Sequence, residues 1–200
     1  MAIPTSVYAE MTPNPLTMKF VANRLLIQGN PLEFDDPYNT ANSPLAARLF
    51  NFPFIKSVFI AGNFVSLTRN DKIDWEDVAL EMREFIRDYL TEGNPVVLEE
   101  DMEIFEVREK TESLTKDAEP QNEMDERIIA ILDEYVKPAV HQDGGNIFFK
   151  SFSKDEGIVS LVLQGACSGC PSSTLTLKSG IEGLLKRMVP EVKEVVAFNG

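Results

Sequence analysis

The stretch that most constrains this fold is residues 99–117, where charge replaces the apolar patterning found on either side. Glu99, Glu100, Asp101, Glu103, Glu106 and Glu109 are followed by Lys110-Thr111-Glu112-Ser113. An acidic, polar run buries too little surface to offset its own ordering entropy, so it reads as a linker. Ile104, Phe105 and Val107 leave room within it for a short strand docked on the part before it. The expected organisation is two small α+β domains, residues 1–98 and 120–200, joined by an acidic linker over 99–119. Two hundred residues with 44% hydrophobic content are enough to give each domain a core.

The net charge of −13 argues against nucleic acid or an anionic membrane surface as a partner, because both would repel the chain. No apolar run approaches the roughly 18 residues that a membrane span needs. The opening Met1-Ala2-Ile3-Pro4-Thr5-Ser6 has neither the basic start and apolar core of a secretory signal nor the arginine-rich pattern of a transit peptide. The expectation is a cytoplasmic protein.

In the first unit, Pro13 and Pro15 lead into an alternating run over 16–20 that suits a strand, and 25–27 suggests a second before the turn Gly29-Asn30-Pro31. Ser43-Pro44 marks a helix start, with serine at the cap and proline at the first helical position. Residues 58–60 and 64–68 flank Ala61-Gly62-Asn63 as a β-hairpin. A long helix follows. Asp74 stands at its cap, Glu76 and Asp77 lie in its first turn, and Gly93 stops it. Trp75, Val78, Met82, Phe85, Ile86 and Tyr89 recur at helical spacing and belong to a core.

The second unit reads helix, strand, strand, helix, strand, with a Cys-x-x-Cys loop before its second helix. Asn122 can cap the first helix, whose apolar stripe is Met124, Ile128, Ile131, Leu132 and Tyr135, and Pro138 should end or kink it. Asp143-Gly144-Gly145-Asn146 signals a turn. A hairpin is expected from 147–152 and 157–163 around Lys154-Asp155-Glu156-Gly157. Pro171-Ser172-Ser173-Thr174 opens the second helix, Pro190 closes it, and 192–198 supplies the last strand.

The only two cysteines of the chain, Cys167 and Cys170, lie in that loop. A thiolate is both a soft ligand and a nucleophile, so the pair admits an iron-sulfur site, a zinc site or a dithiol redox pair. Four-coordinate zinc and cubane clusters each take four protein ligands, and the chain offers two cysteines and one distant histidine, His141. One chain cannot close such a site. Either a second copy supplies the missing thiolates, or the pair is a dithiol, or it is structural. A thioredoxin-like dithiol also sits at a helix start after a strand, although no tryptophan precedes Cys167 here. The start of a helix favours negative charge, and with it the thiolate form. Gly165 and Gly169 let the backbone approach closely. Ser168, Ser172, Ser173 and Thr174 can donate hydrogen bonds or cap the helix, Lys178 reads as solvated, and His141 reads as a surface or packing residue rather than a ligand.

Three stretches are recognisable together: Asp143-Gly144-Gly145, then the run from Leu161-Val162-Leu163-Gln164-Gly165-Ala166-Cys167 through Ser168-Gly169-Cys170-Pro171-Ser172-Ser173-Thr174 to Leu175-Thr176-Leu177-Lys178, then Pro190-Glu191-Val192. They resemble the C-terminal NifU-like domain of the Nfu family of iron-sulfur proteins. Thr12-Pro13-Asn14-Pro15, Met18-Lys19-Phe20, Ser43-Pro44-Leu45-Ala46 and Lys56-Ser57-Val58-Phe59 are similar to the Nfu N-terminal domain. The resemblance implies a non-enzymatic carrier or scaffold. In it two protomers each give Cys167 and Cys170 to one [4Fe-4S] cluster, with [2Fe-2S] as the other cluster type. It further implies a homodimer on cluster binding, upstream scaffold proteins as donors and apo iron-sulfur clients as acceptors. The three-cysteine scaffold domain and the ferredoxin-like domain of full-length NifU have no counterpart, which favours delivery over de novo assembly.

Overall fold

The computed structural model describes residues 4–98, 117–168 and 171–199. The chain divides into two compact units between Thr111 and Glu112, and both are mixtures of helix and strand. Residues 99–116, which carry most of the expected linker and its possible strand at Ile104 to Val107, lie outside the described residues.

The first unit is built on a five-stranded antiparallel sheet of β1 (Val7–Met11), β2 (Thr17–Ala22), β3 (Leu32–Phe34), β4 (Ile55–Ala61) and β5 (Phe64–Arg69). Their spatial order is β1-β2-β5-β4-β3. The β4–β5 hairpin turns at Gly62, whose φ of 50° is open to glycine at no steric cost. Helix α1 (Pro44–Leu49) starts at Ser43, whose hydroxyl accepts from Ala46 N at 3.2 Å, with Pro44 inside the first turn. Helix α2 (Trp75–Thr91) lays Trp75, Val78, Met82, Ile86 and Leu90 into a core with Phe20, Val58, Ile60, Val65 and Leu67. Full burial of such a side chain contributes about 1.5–3 kcal/mol, and the periodicity of α2 places all five on one face.

Three expectations in this unit need correction. Residues 25–27 do not form a strand: Leu26 N and Ile27 N both donate to the single carbonyl of Gly62, at 2.8 and 3.2 Å, so the segment crosses the hairpin turn without pairing along a strand. The strand comes later, at β3. The edge strand β1 escaped notice because only Val7 of its five residues is buried, which leaves no alternation to read. Asp74 does precede α2, but its side chain makes no cap bond, since Arg69 donates to its carboxylate at 2.8 Å instead. Phe85 is only partly buried at the margin of the core.

The second unit begins with a helical run. Helix α3 (Glu123–Ile131) is capped by Asn122, whose Oδ1 accepts from Met124 N and Asp125 N at 2.9 and 3.1 Å, while Asp125 reaches back to Gln121 N at 2.9 Å. The run then widens into a π turn over Leu132–Val136 and continues as α4 (Lys137–Gln142). Pro138 therefore does not end the helix. It lacks an N–H, and the register shifts just before it so that proline falls at the start of the next segment, where that donor is not needed. The shift also carries Tyr135 out of the expected stripe: it is exposed, while Ile128, Ile131 and Leu132 are buried.

Strands β6 (Gly145–Ser153) and β7 (Ile158–Gly165) form the expected hairpin, and β8 (Glu194–Asn199) pairs with β7 in parallel. A parallel pair needs a crossover, which α5 (Pro171–Met188) supplies. The Cys loop is the first turn of that crossover. The core beneath joins Ile128, Leu132 and Val140 to Ile147, Phe149, Leu161, Leu163, Leu185 and Val195.

Candidate functional site

Strand β7 ends at Gly165 in the left-handed region, with φ 64°, which turns the chain out of the sheet toward α5. The Gly165 carbonyl then accepts twice from Ser168, from its N–H at 3.1 Å and its hydroxyl at 2.9 Å. Ala166 N donates to Gly144 O at 3.2 Å and so ties the loop to the turn before β6, where Gly144 has φ 83°. Thr174, in the first turns of α5, donates its hydroxyl to Cys167 O at 3.1 Å. Thr174 thus bonds the loop itself, the first of the two roles open to it. The loop is held from three sides.

Cys167 is 7% exposed and belongs to the apolar core of the unit. Gly145 faces it across the β6–β7 pair. A Cβ built on Gly145 would stand 2.6 Å from Cys167 Sγ, 2.6 Å from Gln164 O and 3.1 Å from Cys167 N. The neighbouring Gln164 is also buried, and its Oε1 has no hydrogen-bond partner among the described residues. Cys170 and Gly169 lie outside the described residues, so the second sequence-predicted ligand has no geometry here.

His141 is exposed at the end of α4, and its carbonyl accepts from Gly144 N at 3.1 Å, a contact that forms the turn before β6. Among the described residues no group of three or more histidine, cysteine or acidic side chains is placed to hold a metal ion. Lys178 is not simply solvated: it reaches Glu194 on β8 at 3.7 Å. The residue that sequence reasoning passed over is Gly145. The signal was present in the pair Gly144-Gly145, because one glycine suffices for a turn and only Gly144 has a positive φ.

This architecture has known counterparts. Residues 7–93 match the family model described as the N-terminal domain of scaffold protein Nfu/NifU, and residues 128–196 match the NifU-like domain. The chain belongs to the Nfu family of iron-sulfur cluster scaffold proteins. Among its relatives, the human protein named NFU1 iron-sulfur cluster scaffold homolog, mitochondrial, is 34% identical over 194 residues, covering 94% of this chain and 70% of that one. The Arabidopsis thaliana protein named NifU-like protein 4, mitochondrial, is 33% identical over 189 residues, covering 94% of this chain and 64% of that one. These names overturn the expected cytoplasmic location, since several relatives are called mitochondrial. An organelle address resides in a removable leader and leaves no trace in the residues that build the fold. No helix among the described residues is long and apolar enough to cross a membrane.

Proposed function

We propose that this chain is a carrier of an iron-sulfur cluster, with no catalytic activity of its own. In this reading one [4Fe-4S] cluster is held between two copies, each contributing Cys167 and Cys170, and passes to an apo-acceptor. The observation that carries it is the placement of Cys167 at the β7–α5 junction of a NifU-like domain, in a loop fixed by Gly144, Gly165 and Thr174. The donor chemistry suits such a cargo: thiolate sulfur is the usual protein ligand of iron-sulfur clusters, and a helix start favours the thiolate. Two thiolates per chain leave a cubane half ligated, and a second copy completes the set of four. Delivery is then ligand exchange without net redox change. Each of the four Fe–S bonds to the carrier pair breaks as an acceptor ligand takes its place, a cysteinate or, at an iron for which the acceptor has none, a solvent oxygen, and parting the two copies releases the carrier. A thioredoxin-like dithiol draws no support from the comparisons, nor from this element order.

Anaerobic reconstitution with iron and sulfide tests the reading. The expected product is a brown dimer with about four irons and four sulfides per two chains, able to activate an apo-aconitase. Cys167→Ser and Cys170→Ser are each expected to lose the cluster. A full cluster retained by either variant, or by a monomer, overturns the assignment. An insulin-reduction assay on the same preparation is expected to be negative.

A further inference from the structure

The reading just given requires the Cys167 sulfur to meet a cluster shared with a second chain, yet the structure seats that sulfur inward. Cys167 is 7% exposed and packs with Ile147, Phe149 and Leu163 in the core of the unit. The space for Sγ exists only because residue 145 has no side chain: the 2.6 Å from a Cβ there to Sγ is well inside the roughly 3.5–4.0 Å of a favourable heavy-atom contact. Gly145 does not have a positive φ, so backbone torsion makes no demand for glycine. Room is the demand. The neighbouring walls are backbone, Gln164 O and Cys167 N, which cannot swing aside as a flexible side chain would.

We infer that Gly145 is a positioning residue that forms a socket for the Cys167 thiol, and that cluster acquisition turns this side chain out of the socket. The first clause stands on the geometry alone, and the second rests on the proposed function. Stowed in this way, the thiol is shielded from alkylating and oxidising reagents until a cluster is offered.

The test uses the full-length, reduced apo-protein carrying Cys170→Ser, so that one thiol is read. Iodoacetamide is expected to modify Cys167 at least about tenfold more slowly in the native protein than in urea, because modification waits for a local opening. Equal rates overturn the socket. Adding Gly145→Ala is expected to raise the native rate about tenfold, since Sγ must leave the occupied space. Val195→Ala, which opens the same core from β8, serves as the control for mere destabilisation. If both substitutions raise the rate alike at matched loss of stability, the socket is overturned. Should Gly145→Ala fold poorly, its stability cost is measured again in a Cys167→Ala background. The cost is expected to shrink there, and strict additivity overturns the sulfur contact. With Cys170 restored, Gly145→Ala is expected to load iron and sulfide faster than the parent, and an unchanged or slower rate overturns the outward turn. A parent that loads no cluster at all counts against the proposed function and leaves the alkylation result intact.

Discussion

Asp117 closes the open edge of β6 at Phe149: its Oδ1 accepts the Phe149 N–H at 2.6 Å, and the next residue, Ala118, donates its own N–H to Phe149 O at 2.8 Å. The other carboxylate oxygen of Asp117 pairs with Lys137 on α4. Residues 117 and 118, expected to be the end of a linker, thus bind an edge strand that would otherwise offer unpaired groups to other chains. Asp117→Ala removes a charge-assisted bond to a backbone donor, a loss of about 1.5–3 kcal/mol. The expected result is a lower melting temperature for the second unit and faster hydrogen exchange at the Phe149 amide. Unchanged protection of that amide would show that the edge is held by other means.

Lys137 makes this contact sensitive to alkaline pH. Burial alone would lower its pKa, but hydrogen bonds to Asp117 and Asp133, with the charge of both, outweigh that effect and hold the ammonium above its ordinary value. A raised folded value means that the contribution is fully present below the unfolded lysine pKa of about 10.4 and is lost as pH rises through the folded one. The urea midpoint of the second unit is therefore expected to fall above about pH 10.4, and to fall less in Asp117→Asn. Tyr89, raised by burial against the opposing charge of Arg48, gives the first unit an alkaline loss of the same sign, so the comparison with Asp117→Asn is the informative one.

Ser43 supports the first unit at two points. Its Oγ accepts from Ala46 N at 3.2 Å and donates to Val96 O at 2.8 Å, and the residue is fully buried. Ser43→Ala loses the cap and orphans the Val96 carbonyl, together costing about 2–3 kcal/mol. Trp75, the single tryptophan, lies in the first unit, with Nε1 donating to Leu16 O at 3.0 Å and its ring edge-on to Phe20 at 6.0 Å. Tryptophan fluorescence during unfolding is thus expected to report this unit alone and to shift its midpoint in Ser43→Ala. The Phe149 amide exchange should not change.

Helix starts at Ser43 and Asn122, hairpins at Gly62 and Gly157, and the buried face of α2 were legible because each follows from a local rule of torsion or period. What escaped was set by distant partners. Arg69 takes the Asp74 carboxylate that a cap would have used, Gly62 satisfies Leu26 and Ile27 together, and β1 shows no alternation because only its first residue is covered. At the site, the junction of strand and helix that carries Cys167 was legible from the apolar run before it and the proline after it, whereas the fit of Cys167 under Gly145 was not. That fit depends on the register that sets Gly145 opposite Gly165, a pairing no local pattern encodes.

Glu182 ties α5 to β8, and so fixes the far end of the helix that follows the Cys loop. Its Oε2 accepts from Val195 N at 3.1 Å, while Oε1 meets Lys186 one turn on. The Lys186 hydrogen bond, followed by that from Val195 N, holds its carboxyl below the ordinary glutamate range. A lowered folded value contributes stability that is present above the unfolded pKa of about 4.3 and is lost as pH falls through the folded one. Glu182→Gln is therefore expected to be slightly less stable than the parent at pH 7, with the gap closing below about pH 4. Thermal melts across pH 3–7 read this directly. A variant as stable as the parent over that whole range would assign the role of Glu182 to its bond with Val195 N, which a glutamine oxygen accepts equally, and remove its charge from the account.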